Sequence, residues 1–134
     1  MTSVVIGNSV NTIGKMAFYC CSVLPSIEIP NSVISIGDYA FKGCEKLDSV
    51  VIGNSVTTIG IDAFRDCVEL NSIIIPDSVT TIGDSAFHFC PFLFSIEIGN
   101  SITSIGDSAF FGGRYESTLV SITITTIVPP TLGS

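Results

Sequence analysis

A period of 23 residues constrains this chain more than any other feature of its sequence. An isoleucine begins each copy, at Ile6, Ile29, Ile52, Ile75 and Ile98. Each copy then carries Val or Ile four residues on, Ile at the seventh position, Gly at the eighth and an Ala-Phe pair after that. Four copies continue with Cys and then Leu. Because eight positions recur in register, the chain is predicted to be a repeat array.

The residue order within one copy predicts how that copy folds. Ser72-Ile73-Ile74-Ile75 is short, β-branched and ended by a proline, which is typical of a strand. The Val-x-x-Ile that follows is interpreted as a second extended or turning stretch. The recurring glycine would supply a positive φ or let two backbones approach closely. An aspartate after this glycine, in three of the copies, is predicted to cap a short helical turn; these are Asp38, Asp84 and Asp107.

A period of 23 falls within the range of leucine-rich repeats, and one coil of this kind cannot bury its apolar face alone. The predicted fold is therefore a solenoid of stacked coils, with a short parallel β-sheet on one face and short helical or 3-10 turns on the other. The copies are predicted at 6–28, 29–51, 52–74, 75–97 and 98–123, with partial coils at 1–5 and 124–134. Neither end carries an obvious polar cap, so we expect a piece of a longer array; Met1 and Pro129-Pro130 acting as caps is the alternative.

Composition and charge exclude several classes of function. Hydrophobic residues make up 46% of the chain and charged residues 13%, which is too apolar for a disordered protein. No apolar run approaches the roughly 18 residues of a membrane span, so we expect no membrane insertion. The net charge is −7 and the five basic residues form no cationic stripe, which disfavours nucleic-acid binding.

One motif gives the chain a family resemblance: Ile-Pro-Asn/Asp-Ser-Val-x-x-Ile-Gly-x-x-Ala-Phe-x-x-Cys-x-x-Leu-x-Ser-Ile. It stands most clearly at 29–50 and 75–96. The motif resembles the BspA-type leucine-rich repeats, also called the Treponema pallidum type, of bacterial and protozoan surface proteins. The resemblance covers residues 1 to about 124, and the closing 129–133 is similar to a variant from Bacteroides-like gut bacteria. It implies a cell-surface or secreted location, adhesion to host matrix or epithelium and coaggregation with other bacteria, and it does not imply an enzyme.

The cysteines form a row of one thiol per coil, at Cys21, Cys44, Cys67 and Cys90. A zinc site needs convergent ligands, usually in close pairs, and side chains stacked in a row do not converge. We interpret the row as buried thiols that act as small hydrophobic groups, with disulfides along the row as the alternative. Cys20 is an exposed thiol or simply a surface residue.

No residue pattern predicts catalysis or a cofactor. His88 occupies a position held by Tyr19, Lys42, Arg65 and Phe111 in other copies, so we expect it to face solvent. No nucleophile and carboxylate accompany it in a recognisable motif. The three aspartates that follow the glycine are interpreted as caps rather than calcium ligands. We therefore predict no enzyme, no cofactor and no metal.

The outward rows of the predicted strands remain as the candidate binding surface. It combines an apolar centre with a polar rim, which suits protein recognition; a simple preference of β-branched residues for strands is the alternative. The residues of this surface are Glu28, Val51, Ile74, Glu97, Ser49 and Ser72.

A second candidate surface gathers four aromatic residues near the last copies: Phe89, Phe92, Phe94 and Phe111. We interpret it as an association patch, unless the rings pack against the inserted loop at 114–117. The function predicted from the sequence is a non-catalytic protein-binding or adhesion module of a cell-surface or secreted protein. Its partner would be a host matrix protein or another surface protein. The alternative is a structural segment that forms homo-oligomers through its open ends or through the association patch.

Overall fold

Each coil of the structure contributes one four-residue strand and one two-residue strand. The computed structural model describes residues 2–112 and the backbone of residues 121–124. The four-residue strands are β2 (Ser26–Ile29), β4 (Ser49–Ile52), β6 (Ser72–Ile75), β8 (Ser95–Ile98) and β10 (Ser121–Ile124). The two-residue strands are β1 (Thr12–Ile13), β3 (Ser35–Ile36), β5 (Thr58–Ile59), β7 (Thr81–Ile82) and β9 (Ser104–Ile105).

All strand pairs are parallel, which confirms the predicted solenoid. The two-residue strands form one sheet in the order β1-β3-β5-β7-β9, so the second stretch of each copy is a strand. The four-residue strands divide into two sheets, β2-β4 and β6-β8-β10. Pairs such as Ile73 and Ile96 lie 23 residues apart, whereas Ile96 pairs with Ile122 because three extra residues separate the last two strands. Residues 3–6 match the strand position in sequence but form no strand, and the partial coil expected at 124–134 lies outside the described residues after Ile124.

The core runs through the middle of the stack as columns of equivalent residues. In β2, β4 and β6 the burial pattern alternates, with serine outward and the aliphatic residues at the second and fourth positions inward. The phenylalanines form a column of nearly parallel rings, whose centroids lie 5.0 to 5.4 Å apart. Phe41 and Phe64 are fully buried in this column. Apolar burial of this kind stabilises the coils only when they are stacked.

The side of the solenoid opposite the four-residue strands consists of hydrogen-bonded turns, and residues 2–112 contain no helix. The aspartates predicted as helix caps therefore have another role, and that prediction was wrong. Asp38 Oδ1 accepts a hydrogen bond from the backbone N–H of Ile61 at 2.8 Å, and Asp84 Oδ1 accepts one from Asp107 at 2.8 Å. Each of these carboxylates thus bonds to the equivalent position of the next coil.

The recurring glycine is required by close approach of two backbones, not by a positive φ. A Cβ built on Gly60 would lie 2.6 Å from the backbone nitrogen of Asp38 and 2.7 Å from the carbonyl carbon of Gly37. Real Cβ atoms do not approach backbone so closely, so any side chain here would push two coils apart. Left-handed backbone occurs instead in the turns, for example at Asp62 (φ 53°) and Asp66 (φ 61°).

Replacing Phe64 by alanine is expected to lower the free energy of unfolding by about 3–5 kcal/mol, because it leaves a cavity between two stacked rings. Urea denaturation followed by circular dichroism measures this change. Phe111→Ala is the matched control: Phe111 is 57% exposed, so its loss is expected to change stability by less than about 0.5 kcal/mol. A Phe64→Ala variant with the wild-type midpoint would contradict the stacking described here.

Candidate functional site

The outward side chains at the third position of the four-residue strands form a row across the solenoid. Glu28 lies beside Val51 in the β2-β4 pair, and Ile74 lies beside Glu97 in the β6-β8 pair. Val51 is 55% exposed and Ile74 is 61% exposed, so two aliphatic side chains face solvent between two carboxylates. Ser49 and Ser72 are also exposed, at the first position of β4 and β6 and two residues before Val51 and Ile74. The candidate surface predicted from sequence therefore lies on one continuous side of the molecule.

The backbone ladder is interrupted at the centre of this row. No strand pairing joins β4 to β6, although both neighbouring pairs, β2-β4 and β6-β8, are formed. Two core residues of β4 are slightly open to solvent as a result, Val50 at 9% and Ile52 at 7%, whereas Ile73 and Ile75 of β6 are at 2% and 1%. A cleft of about 400 Å³ lies between the two strands. Its lining includes Asp48, Ser49, Val51, Asn54, Asn71, Ser72, Ile74 and Pro76.

A proline at the end of β6 removes one of the donors that this ladder would use. The residue that follows the four-residue strand position alternates along the chain as Gly7, Pro30, Gly53, Pro76 and Gly99. The N–H of Gly99 donates to the carbonyl oxygen of Ile75 in the preceding coil at 2.9 Å. Pro76 has no N–H and cannot make the equivalent bond to Ile52. The same rule holds at the start of the chain, where β2 ends before Pro30 and does not pair with residues 3–6.

The glycines of this alternation have the opposite effect and bring coils together. A Cβ on Gly53 would lie 2.5 Å from the carbonyl oxygen of Pro30 and 2.7 Å from that of Ile29. A Cβ on Gly99 would lie 2.7 Å from the backbone nitrogen of Asp77. Each proline coil is thus packed tightly against the glycine coil that follows it, and more loosely against the glycine coil before it.

This pairing of coils creates two equivalent clefts 46 residues apart, one on each side of the central cleft. The first, of about 390 Å³, is lined by Asn8, Glu28, Pro30, Asn31, Val51 and Gly53 among others. The second, of about 400 Å³, is lined by the matching Asn54, Ile74, Pro76, Asp77, Glu97 and Gly99 among others. Asn54 lines all three clefts. We call the three together the strand-face groove.

The groove is negatively charged. Four carboxylates contribute to its lining, those of Glu28, Asp48, Asp77 and Glu97. None of the four described basic residues lines it. Two of these cations are engaged elsewhere by the buried carboxylate of Asp62, whose Oδ2 lies 3.1 Å from Lys42 Nζ and 3.5 Å from an Arg65 nitrogen.

The six residues predicted from the sequence give only part of this site. The missing contributors include Asp48, Asn54, Asn71, Pro76 and Asp77, which lie at strand ends rather than in the outward rows. The alternation of proline and glycine with a period of 46 residues was the sequence signal that could have located them. Glycine and proline both end a strand, so the pattern within one copy does not distinguish the two kinds of coil.

The sequence and structure match known leucine-rich repeat proteins. A family described as the BspA type leucine rich repeat region matches residues 1–129 in six copies. The chain belongs to the BspA-type leucine-rich repeat family. No curated protein matches it.

Solved structures similar to this BspA-type chain come from three bacteria. The T. pallidum leucine rich repeat protein is 36% identical with a TM-score of 0.75, covering 76% of this chain and 48% of that one. A leucine rich cell surface protein from Faecalibacterium prausnitzii is 36% identical with a TM-score of 0.84, covering 90% and 31%. A leucine-rich repeat protein from Bacteroides ovatus is 26% identical with a TM-score of 0.70, covering 93% and 42%. This chain therefore spans less than half the length of each of these relatives.

Three of the five cysteines of this BspA-type solenoid are packing residues, whereas Cys20 is exposed and Cys21 is half-buried. Cys44, Cys67 and Cys90 are buried, and all five cysteines are free thiols. The thiols of Cys44 and Cys90 donate weak hydrogen bonds to the carbonyl oxygens of Phe18 and Phe64, each at 3.2 Å. Burial raises the pKa of the Cys44 thiol and that of the Cys90 thiol to about 12 each. Both thiols are therefore protonated at neutral pH, and a protonated thiol is neither a good nucleophile nor a metal ligand.

His88 is half-buried rather than turned to solvent as expected. Its ring stacks on Phe89 at 4.1 Å between centroids, and neither ring nitrogen has a hydrogen-bond partner among the described residues. Burial, assisted by the Arg65 charge, lowers the pKa of His88. Within the described residues no three His, Cys, Asp or Glu side chains are grouped to hold a metal ion, and no helix has the length and apolar character needed to cross a bilayer.

The four residues predicted as an association patch divide into two groups of ring contacts. Phe92 and Phe94 contact each other at 6.2 Å between centroids and are 52% and 43% exposed. Phe89 and Phe111 instead each contact His88, at 4.1 and 5.2 Å. The position of the inserted loop at 114–117 relative to these rings lies outside the described residues.

Proposed function

We propose that this chain is a non-catalytic protein-binding module of a cell-surface or secreted protein, and that it recognises its partner through the strand-face groove. The observation that carries the proposal is the exposure of Val51 and Ile74 at the centre of the groove. Solvent-exposed aliphatic side chains surrounded by polar groups are typical of protein interfaces. Here they lie over a cleft that a partner side chain can fill.

The comparisons support the surface location and the kind of partner. Leucine-rich repeat domains of this family generally mediate protein interactions, and one similar structure is described as a cell surface protein. Together with the resemblance to surface adhesins, this makes host matrix proteins and other cell-surface proteins the partners to test first. The similar structures are longer chains, so the proposal concerns the module and not the activity of those whole proteins.

Replacing both Val51 and Ile74 by threonine is expected to weaken capture of the chain by immobilised extracellular-matrix proteins at least tenfold, because two apolar contacts are lost at the interface centre. Threonine keeps the β-branched shape that strands prefer. Surface plasmon resonance on a panel of matrix proteins measures the change.

Ile34→Thr is the matched control for this experiment. Ile34 is 52% exposed but lies outside the groove, and its equivalents in the following coils are already threonine (Thr57, Thr80 and Thr103). The control should bind as the wild type does. The proposed function would be contradicted if no matrix protein on the panel retained the wild-type chain better than an unrelated protein of similar negative charge.

Self-association through Phe92 and Phe94 is the second candidate function. These two rings are exposed and in contact with each other, and an exposed aromatic cluster is a frequent site of protein association. Self-association would serve a structural role for the array rather than recognition of another protein.

Light scattering over a range of concentrations tests this second candidate. If the rings associate, the wild type forms dimers or larger species, whereas Phe92→Lys with Phe94→Asn remains monomeric. The coil can accommodate both substitutions, because Lys46 and Asn71 occupy the same positions in preceding coils. A wild type that stays monomeric at the highest concentration eliminates self-association.

A further inference from the structure

The groove presents its side chains in a fixed order along the axis of the solenoid. Glu28, Val51, Ile74 and Glu97 follow one another, one per coil, so two carboxylates enclose two aliphatic side chains. The aliphatic pair belongs to β4 and β6, the neighbouring strands that form no ladder, and the central cleft lies beneath it. The charged ends belong to β2 and β8, which are held in regular ladders.

The spacing of these four side chains matches that of an extended polypeptide. Successive phenylalanine rings, which mark the step from coil to coil, lie 5.1 and 5.2 Å apart. Three such steps separate Glu28 from Glu97, or at least about 15 Å, because β4 and β6 in the middle of the row form no ladder. An extended chain rises about 3.3 Å per residue and turns every second side chain to the same face. Residues one, three and five of an extended segment therefore span about 13 Å on one face, and long basic side chains cover the remaining distance.

The negative charge of the groove favours a partner of positive charge. Four carboxylates line the groove without any of the described cations, while Lys42 and Arg65 are paired with Asp62 and Lys46 is paired with Glu69. An acidic segment would meet uncompensated repulsion along the whole groove. A basic one would gain attraction at both ends of the row.

We propose that the groove binds an extended basic segment of the pattern basic-x-aromatic-x-basic. The aromatic side chain lies between Val51 and Ile74 over the central cleft, and the two basic side chains lie beside Glu28 and Glu97. This inference rests on the proposed function and adds the chemistry of the partner to it. The hydroxyls of Ser49 and Ser72 and the amides of Asn54 and Asn71 line the same cleft and can hydrogen-bond to the segment's backbone.

Fluorescence anisotropy with short labelled peptides tests the pattern directly. The probe carries Lys-Ser-Phe-Ser-Lys between neutral serine and glycine residues. Its matched control, Lys-Phe-Ser-Ser-Lys, has the same composition and charge but turns the phenylalanine to the opposite face of an extended chain. The inference predicts saturable binding of the probe at concentrations below about 1 mM, and binding of the control that is at least about fivefold weaker.

Variants of the chain assign the contacts. Glu28→Gln and Glu97→Gln should each weaken probe binding by up to about fivefold, and added salt should reduce the difference from wild type. Ile74→Thr should weaken the probe more than the control peptide. Glu45→Gln, an exposed glutamate outside the groove, and Ile34→Thr should leave binding unchanged.

Two results would overturn the inference. One is equal binding of the probe and the control peptide, which indicates general charge attraction without a specific binding position for the aromatic ring. The other is no binding of the probe. Either result leaves the proposed function intact under one condition. The Val51→Thr/Ile74→Thr variant must still bind matrix proteins more weakly than the wild type, while the Glu28→Gln and Glu97→Gln variants bind them as the wild type does. Failure of the wild-type chain to be captured by any matrix protein in that assay would overturn both proposals.

Discussion

The close approach of successive coils at the glycine of each repeat is the constraint on which the rest of the structure depends. A Cβ on Gly60 or Gly83 would lie 2.6 Å from a backbone nitrogen of the preceding coil. Because the backbones meet there, the phenylalanine rings stack at 5.0 to 5.4 Å, and the carboxylate of Asp38 reaches the N–H of Ile61 in the next coil. Each coil is therefore stabilised by contacts with its neighbours as well as by its own turns.

The alternation of glycine and proline after the four-residue strands determines where the stack is tight and where it opens. The coils that carry Gly53 and Gly99 after the strand pack closely against the coils before them. Pro76, in contrast, removes a donor that the ladder needs. Where the ladder is missing, a cleft lies between β4 and β6, and the core residues Val50 and Ile52 are slightly more open than Ile73 and Ile75. The side chains above the cleft, Val51 and Ile74, are outward at the third position of their strands and are more than half exposed.

The sequence predicted the solenoid, the core columns and the outward row, because each is fixed by which residues recur every 23 positions. It mistook the structure of the turns, since an aspartate after a glycine resembles a helix cap when only local spacing is considered. In the structure Asp38 and Asp84 bond to the next coil, a partner that lies 23 residues away. The groove was only half predicted for a similar reason. The row of Glu28 to Glu97 follows from alternation within strands, whereas the opening between β4 and β6 follows from a comparison of neighbouring coils, in which Pro76 replaces glycine.

The central claim is that proline at this position keeps β4 and β6 apart and so makes the groove, and amide hydrogen–deuterium exchange on a Pro76→Gly variant tests it most directly. Glycine restores the N–H that can donate to Ile52, so the ladder should close. Exchange in peptides covering 49–53 and 72–76 should then slow by at least about tenfold, with no change in peptides covering 95–99. Pro25→Gly, at an exposed proline outside the strands, controls for the added flexibility of glycine. Unchanged or faster exchange in both strands of the Pro76→Gly variant would contradict the account.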